Sequence, residues 1–251
     1  MIPVVIFTFA DDAPAAMLAA QAATAAGLGR VYLEVDAAKP FPAALAKEAI
    51  AKGYHYRLTS FPRERNLLGI ECYQGMLASY DFVLRDTGAS YVLKLDSDTI
   101  ILRAARIFNA VRAGVALAGW SQPKYHFYGC CSVISRRLVD FIRADIQQGG
   151  RLPHGYQPYD MPEDLVTGSY GDIASVGEVR RWLYDPRGGF CAGWRYSEAT
   201  ISLDEYARRF DVIIFGNRHL LPGKECSKRD QVAATMLEFV TGRSLGEDRP
   251  A

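Results

Sequence analysis

The chain is expected to fold as an α/β protein whose mostly parallel central sheet is flanked by helices, and three features of the sequence lead there. Val4 to Phe9 is an unbroken apolar run, the mark of a strand covered on both faces. An alanine-rich helical stretch and a second apolar run, Val31 to Val35, follow it at the rhythm of a βαβ unit. Tyr91-Val-Leu-Lys-Leu-Asp-Ser-Asp98 then carries a buried strand into an acidic triplet, at the place where a strand should end. Ligands of open α/β sheets bind along that carboxyl rim.

Taken in order, Asp11, Asp12 and Pro14 supply a cap and a first-turn proline for a helix from Ala13 to Ala26, closed by Gly27 and Gly29. Tyr54 to Leu58 is a third strand. From Arg63 to Asp86 the pattern turns helical, with Leu67, Ile70, Tyr73, Leu77 and Tyr80 lining one face. A short helix follows near Ala104 to Ala113, then a strand from Val115 to Trp120. After the aromatic approach Tyr125-His-Phe-Tyr-Gly-Cys-Cys come a short strand and a helix that Ser135 caps. Proline and two acids at Pro162-Glu-Asp164 describe another helix N-terminus. A mixed segment with a Gly188-Gly189 turn leads to a last strand, Asp211 to Phe215, and a final helix. No G-x-G-x-x-G follows the first strand, where Thr8-Phe9-Ala10-Asp11 stands instead, so a Rossmann dinucleotide grip is excluded.

With 251 residues, 49% hydrophobic and 23% charged, the chain fits one large domain over 1–251. Within it, 1–102 is expected to bind the ligand's nucleotide, 103–242 to complete the site, and 243–251 to form a flexible tail. The net charge of +1 gives no global pull toward nucleic acid or acidic membranes. Five cysteines without C-x-x-C spacing argue against a disulfide framework or structural zinc, and point to a reducing, cytoplasmic setting. No basic leader opens the sequence and no apolar run is long enough to span a bilayer.

Asp96 and Asp98, one residue apart at a strand mouth, repel each other and call for a cation. Mg²⁺ or Mn²⁺ accepts carboxylate oxygens while keeping positions open for phosphate, so a metal with a phosphorylated substrate suits the pair. The plainer alternative is an acidic turn in which Asp98 or Thr99 caps the next helix.

Three ordered blocks, Tyr91-Val-Leu-Lys-Leu-Asp-Ser-Asp98, Tyr125-x-x-Tyr-Gly-Cys-Cys-x-Val-Ile-Ser-Arg-Arg-Leu-Val139 and Pro162-Glu-Asp-x-x-x-Gly168, resemble those of the GT-A glycosyltransferases, and within them the fringe and β-1,3-glycosyltransferase group. Arg65-Asn66-Leu67 resembles the Asn-Leu that precedes the acidic strand there. The chain departs from the group where Gly69, Ile70 and Glu71 replace its lysine, and where Gly129-Cys130-Cys131 replaces its glycine triplet. The resemblance implies a GT-A (nucleotide-diphospho-sugar transferase) fold and metal-dependent transfer of a sugar from a nucleotide diphosphate, a UDP-sugar favoured, to a saccharide, lipid or protein hydroxyl, with inversion.

On that resemblance Asp98 is the direct ligand of Mn²⁺ or Mg²⁺, Asp96 acts through water or on the ribose, and His219 is a third ligand. Asp164 is the general base, with Glu163 as alternate. The bland role of these two acids is to stabilise a helix dipole, worth ~0.3–1 kcal/mol. Thr8, Phe9 and Asp36 at strand ends are candidates for holding base and ribose. Arg65, Lys94 and Ser97 join the nucleotide-sugar contacts. Lys224 and Lys228, with Arg229, form a basic lid or simply a solvated loop. Trp120, Tyr125 and Tyr128, with Gly129, form an acceptor floor or ordinary core. A retaining transferase remains an alternative, since Asp230-Gln231 is similar to a pair such enzymes use. A nucleotidyltransferase would carry a glycine-rich basic loop after the first strand. A non-catalytic nucleotide- or glycan-binding module is the reading from outside enzymology.

Overall fold

The computed structural model describes residues 1–61, 70–121, 127–149, 163–183, 185, 187–193, 203–215 and 227–242. The first strand, β1 (Val4–Thr8), is buried along its whole length because both of its faces are covered. Val4 and Ile6 point into one apolar layer and Val5 and Phe7 into the other. A 3-10 turn, Ala10–Asp12, leads into α1 (Ala13–Ala25). Then come β2 (Val31–Asp36), α2 (Ala43–Ala51), β3 (His55–Thr59), α3 (Ile70–Thr87) and β4 (Tyr91–Asp96). Strands β1 to β4 pair in parallel, and the chain places β3 and β2 on one side of β1 and β4 on the other.

The apolar run that ends in the acidic triplet does not continue as one strand. It breaks after Asp96, and Thr99–Ile101 forms β5 in a second sheet. A strand, not a helix, therefore follows Asp98, which removes the helix-capping alternative. Next are α4 (Ala105–Arg112), β6 (Leu117–Ser121), β7 (Phe127–Ser135), α5 (Arg136–Gln147) and α6 (Glu163–Ile173). They are followed by β8 (Val179–Leu183), β9 (Gly189–Gly193), α7 (Leu203–Arg209), β10 (Phe210–Ile214) and α8 (Ser227–Gly242). The large sheet has the order β3-β2-β1-β4-β7-β6-β8, with β7 antiparallel to both neighbours; the small sheet is β5-β10-β9.

Helices α3, α5 and α6 cover one face of the large sheet, while α1, α2 and α4 cover the other. The alanines of α1 serve a geometric purpose. Ala13, Ala16, Ala19, Ala20 and Ala23 lie on the large sheet, while Ala15 and Ala22 pack with Ile100, Ile213 and Met236 of the small sheet and α8. Only a narrow helix fits between two such layers. Ser135 caps α5 as its position suggests, accepting from the Leu138 N–H at 3.2 Å. Asp12, by contrast, makes no side-chain cap to α1. Among the described residues no helix is long and apolar enough to cross a membrane.

Helix α3 seats against the end of β3 at Gly75, where an added Cβ would lie 2.4 Å from the Ser60 carbonyl oxygen. Backbone cannot yield cheaply there. Gly75→Ala is expected to destabilise the fold by about 1–3 kcal/mol, read as a lower denaturant midpoint; an unchanged midpoint would show that the contact is loose.

Candidate active site at the carboxylate rim

The direction in which successive strands are added reverses between the parallel strands β1 and β4. The connection from β1 runs to β2 on one side, and α3 later brings the chain back to β4 on the other. Loops leaving these two strands diverge, and a crevice opens at their carboxyl ends. Thr8 and Phe9 stand on one lip; Asp96, Ser97 and Asp98 stand on the other, with Asp96 level with Phe7 of β1.

The electrostatics of that place are unfavourable for the protein alone. The half-buried Asp98 carboxyl is pushed up to about 7, first by burial, then by the charges of Asp96 and Asp12; Lys94 and a backbone hydrogen bond oppose the shift. No ion pair to Asp98 is formed among the described residues. Asp12 is a candidate site residue that sequence reasoning missed, because an acid before an alanine-rich helix was taken as its cap. It stands at the crevice, where the Ser97 hydroxyl donates to its Oδ2 at 3.3 Å. The signal was present: Asp11-Asp12 follows the first strand as Asp96-Ser97-Asp98 follows the fourth.

Asp96 is more exposed, at 39% of its side chain, and its Oδ1 accepts from the Lys94 ammonium at 2.5 Å. Lys94 itself is 3% exposed and also donates to the Gly129 carbonyl. It points inward beneath the rim. Phe9 is buried, with the Lys39 ammonium 5.7 Å from its ring centroid. Asp36 ends β2 and turns its Oδ1 back to the Ala38 N–H at 2.9 Å. The Thr8 hydroxyl is fully buried, with no hydrogen-bond partner among the described residues. Trp120 is half-buried, lies opposite Trp182 across the β6–β8 pair, and packs on the core.

Glu163 and Asp164 begin α6, where only their backbone is described; the same holds for Tyr128 in β7 and for Lys228 and Arg229 in α8. Arg65, Tyr125, His219 and Lys224 lie outside the described residues. At the end of the described segment 203–215, the Phe215 N–H donates to the Asp98 carbonyl oxygen at 2.9 Å. Below the rim sit the thiols of Cys130, Cys131 and Cys191, all buried. Burial first, then neighbouring groups, pushes Cys131 and Cys191 well above the ordinary thiol range, so they act as small apolar side chains.

Among the described residues no group of three or more histidines, cysteines or acids is arranged to hold a metal ion. The test of fit is therefore Asp98 itself. A carboxyl raised first by burial and then by two neighbouring acids is suited to a hard divalent ion, which would offset that repulsion.

The fold is of the nucleotide-diphospho-sugar transferase, or GT-A, class. The galactosyltransferase LgtC, solved in complex with donor and acceptor sugar analogs, superposes with a TM-score of 0.53 at 15% identity, over 92% of this chain and 95% of that one. A glycosyltransferase involved in glycosylation of the major capsid of PBCV-1 gives 0.51 at 9% identity, over 94% of this chain and all of the other. The bifunctional glycosyltransferase WbbM gives 0.54 at 10% identity; this chain spans about half of its length, 52%. At such identities the likeness is one of fold. No family model and no curated protein matches the chain.

Between the ordinary carboxyl value of 3.8 and about 7, the folded protein holds a proton on Asp98 that the unfolded chain has released. Stability therefore falls as pH rises through that window. In chelating buffer, wild type is expected to lose more unfolding free energy than Asp98→Asn between pH 5 and pH 8. Equal losses in the two proteins would contradict the charge cluster.

Proposed function

We propose that the chain is a metal-dependent glycosyltransferase that moves a sugar from a nucleotide diphosphate, with a UDP-sugar favoured, to the hydroxyl of a saccharide, lipid or protein acceptor, with inversion. The observation that carries the reading is the Asp98 carboxyl, crowded by Asp96 and Asp12 and without an ion pair among the described residues, at the switch point between β1 and β4. The fold shared with solved glycosyltransferases supports it. The likeness of the three sequence blocks to the fringe and β-1,3 group favours inversion.

In this reading residues 1–102 receive the nucleotide. Phe9 and the Asp36 turn flank base and ribose, while Ser97 braces Asp12 against the rim. Asp98 would hold Mn²⁺ or Mg²⁺, with Asp96 acting through water or on the ribose. The Phe215–Asp98 backbone bond supports His219 as a further ligand. Such an ion supplies Lewis-acid neutralisation of the charge on the departing diphosphate. Residues 103–242 present the acceptor. Asp164, at the start of α6, takes the proton of the attacking hydroxyl, with Glu163 as the alternate base. Lys224, Lys228 and Arg229 close over the diphosphate, and Arg65 contacts it. Trp120, Tyr125, Tyr128 and Gly129 form the acceptor floor.

Asp98→Ala is expected to abolish Mn²⁺-dependent turnover of sugar nucleotides while circular dichroism stays native; undiminished turnover would remove the metal role. Asp164→Asn should bind UDP with unchanged affinity and lose transfer by about 10²-fold or more. Retained transfer would move the base elsewhere. NMR of the product anomer tests inversion directly, and retention of configuration would overturn it.

A further inference from the structure

We propose that Lys94 is a positioning residue, which ties the Asp96 carboxylate to the Gly129 carbonyl and so sets how a sugar nucleotide lies across the rim. The inference rests on the transferase reading above.

An ammonium in an apolar layer is costly unless it is paired and hydrogen-bonded. Lys94 is 3% exposed, and its face of the sheet is packed by α3 and α6. Its Nζ donates to Asp96 Oδ1 at 2.5 Å and to the Gly129 carbonyl. These acceptors lie on different strands: Asp96 at the carboxyl end of β4, Gly129 within β7, which runs antiparallel to it with Lys94 opposite Ser132. An aliphatic side chain would pack there without any such requirement. The lysine instead connects the acidic strand to the stretch preceding Cys130-Cys131.

The role is indirect. The more exposed Asp96 carboxylate stands toward the rim, so Lys94 acts on a ligand through Asp96 rather than by gripping phosphate. With one oxygen committed to Lys94, Asp96 has a fixed orientation and offers its remaining oxygen, while Asp98 has no bonded cation among the described residues. This divides the work of the two acids by geometry. A small cavity lined by Tyr80, Lys94, Phe127, Ser132, Ile134 and Thr167 adjoins the lysine.

The test is a double-mutant cycle on Lys94→Met and Asp96→Asn. UDP-sugar turnover is measured with Mn²⁺, and Mn²⁺–UDP binding is measured by calorimetry. Lys94→Met is expected to keep binding within about 3-fold of wild type and to lose kcat by about 10-fold or more, since small misplacements at a reacting centre are costly. The double variant should be no worse than the poorer single one, because both substitutions break one linkage. A near-wild-type kcat for Lys94→Met, or losses that multiply, would overturn the proposal. Should Lys94→Met not fold, the same cycle is read with Lys94→Gln, which keeps an N–H donor. A wild-type protein that neither binds Mn²⁺–UDP nor turns over sugar nucleotides would instead remove the transferase reading, and this inference with it.

Discussion

The architecture depends on an electrostatic imbalance held at one topological feature. Where the winding of the sheet reverses between β1 and β4, the rim stays open, and Asp12, Asp96 and Asp98 gather there with Lys94 bonded to Asp96. Asp98 is held among Asp96, Asp12 and low-dielectric surroundings, and no fold-stabilising purpose explains that arrangement. Charge clusters that oppose folding are a recurrent property of sites that bind a counter-ion.

The rest of the chain makes that imbalance tenable. The second sheet packs on α1 through Ile100 and Ile213, and its β10 ends in a backbone bond to Asp98, so the acidic turn is anchored from both sides. Arg103 secures the same sheet, donating to Asp211 at 2.8 Å and to the Phe210 carbonyl at 2.6 Å. Far from the rim, Glu34 is fully buried, and it is raised by desolvation while Arg57 and Ser79 oppose the shift with bonds of 2.7 and 2.9 Å. The two acids differ in their partners: Glu34 is paired with Arg57 and Ser79, whereas Asp98 makes no ion pair among the described residues.

Much of this was legible in the sequence where local and global signals agree. β1, α1, β2 and the Ser135 cap follow from apolar runs, a first-turn proline and a hydroxyl at the right boundary. Other features were not, for identifiable reasons. Thr99–Ile101 is as apolar as Tyr91–Leu95, so nothing local says that the chain changes sheets at the acidic turn. Strand β8, Val-Arg-Arg-Trp-Leu, is an edge strand with exposed arginine and leucine, and it lacks the alternation that marks a half-buried strand. Asp12 was assigned to helix capping because an N-cap and a rim carboxylate look alike until strand order is known. Lys94 was grouped with the nucleotide-sugar contacts, and its depth could not be read locally because it depends on β7, more than thirty residues away.

Anomalous diffraction from crystals soaked with Mn²⁺ and UDP tests the central claim most directly. The account predicts a manganese peak about 2.2 Å from an Asp98 carboxylate oxygen, with diphosphate oxygens completing its shell and the nucleoside lying toward Phe9 and Asp36. A peak elsewhere, or bound nucleotide with Asp98 still unligated, would contradict it.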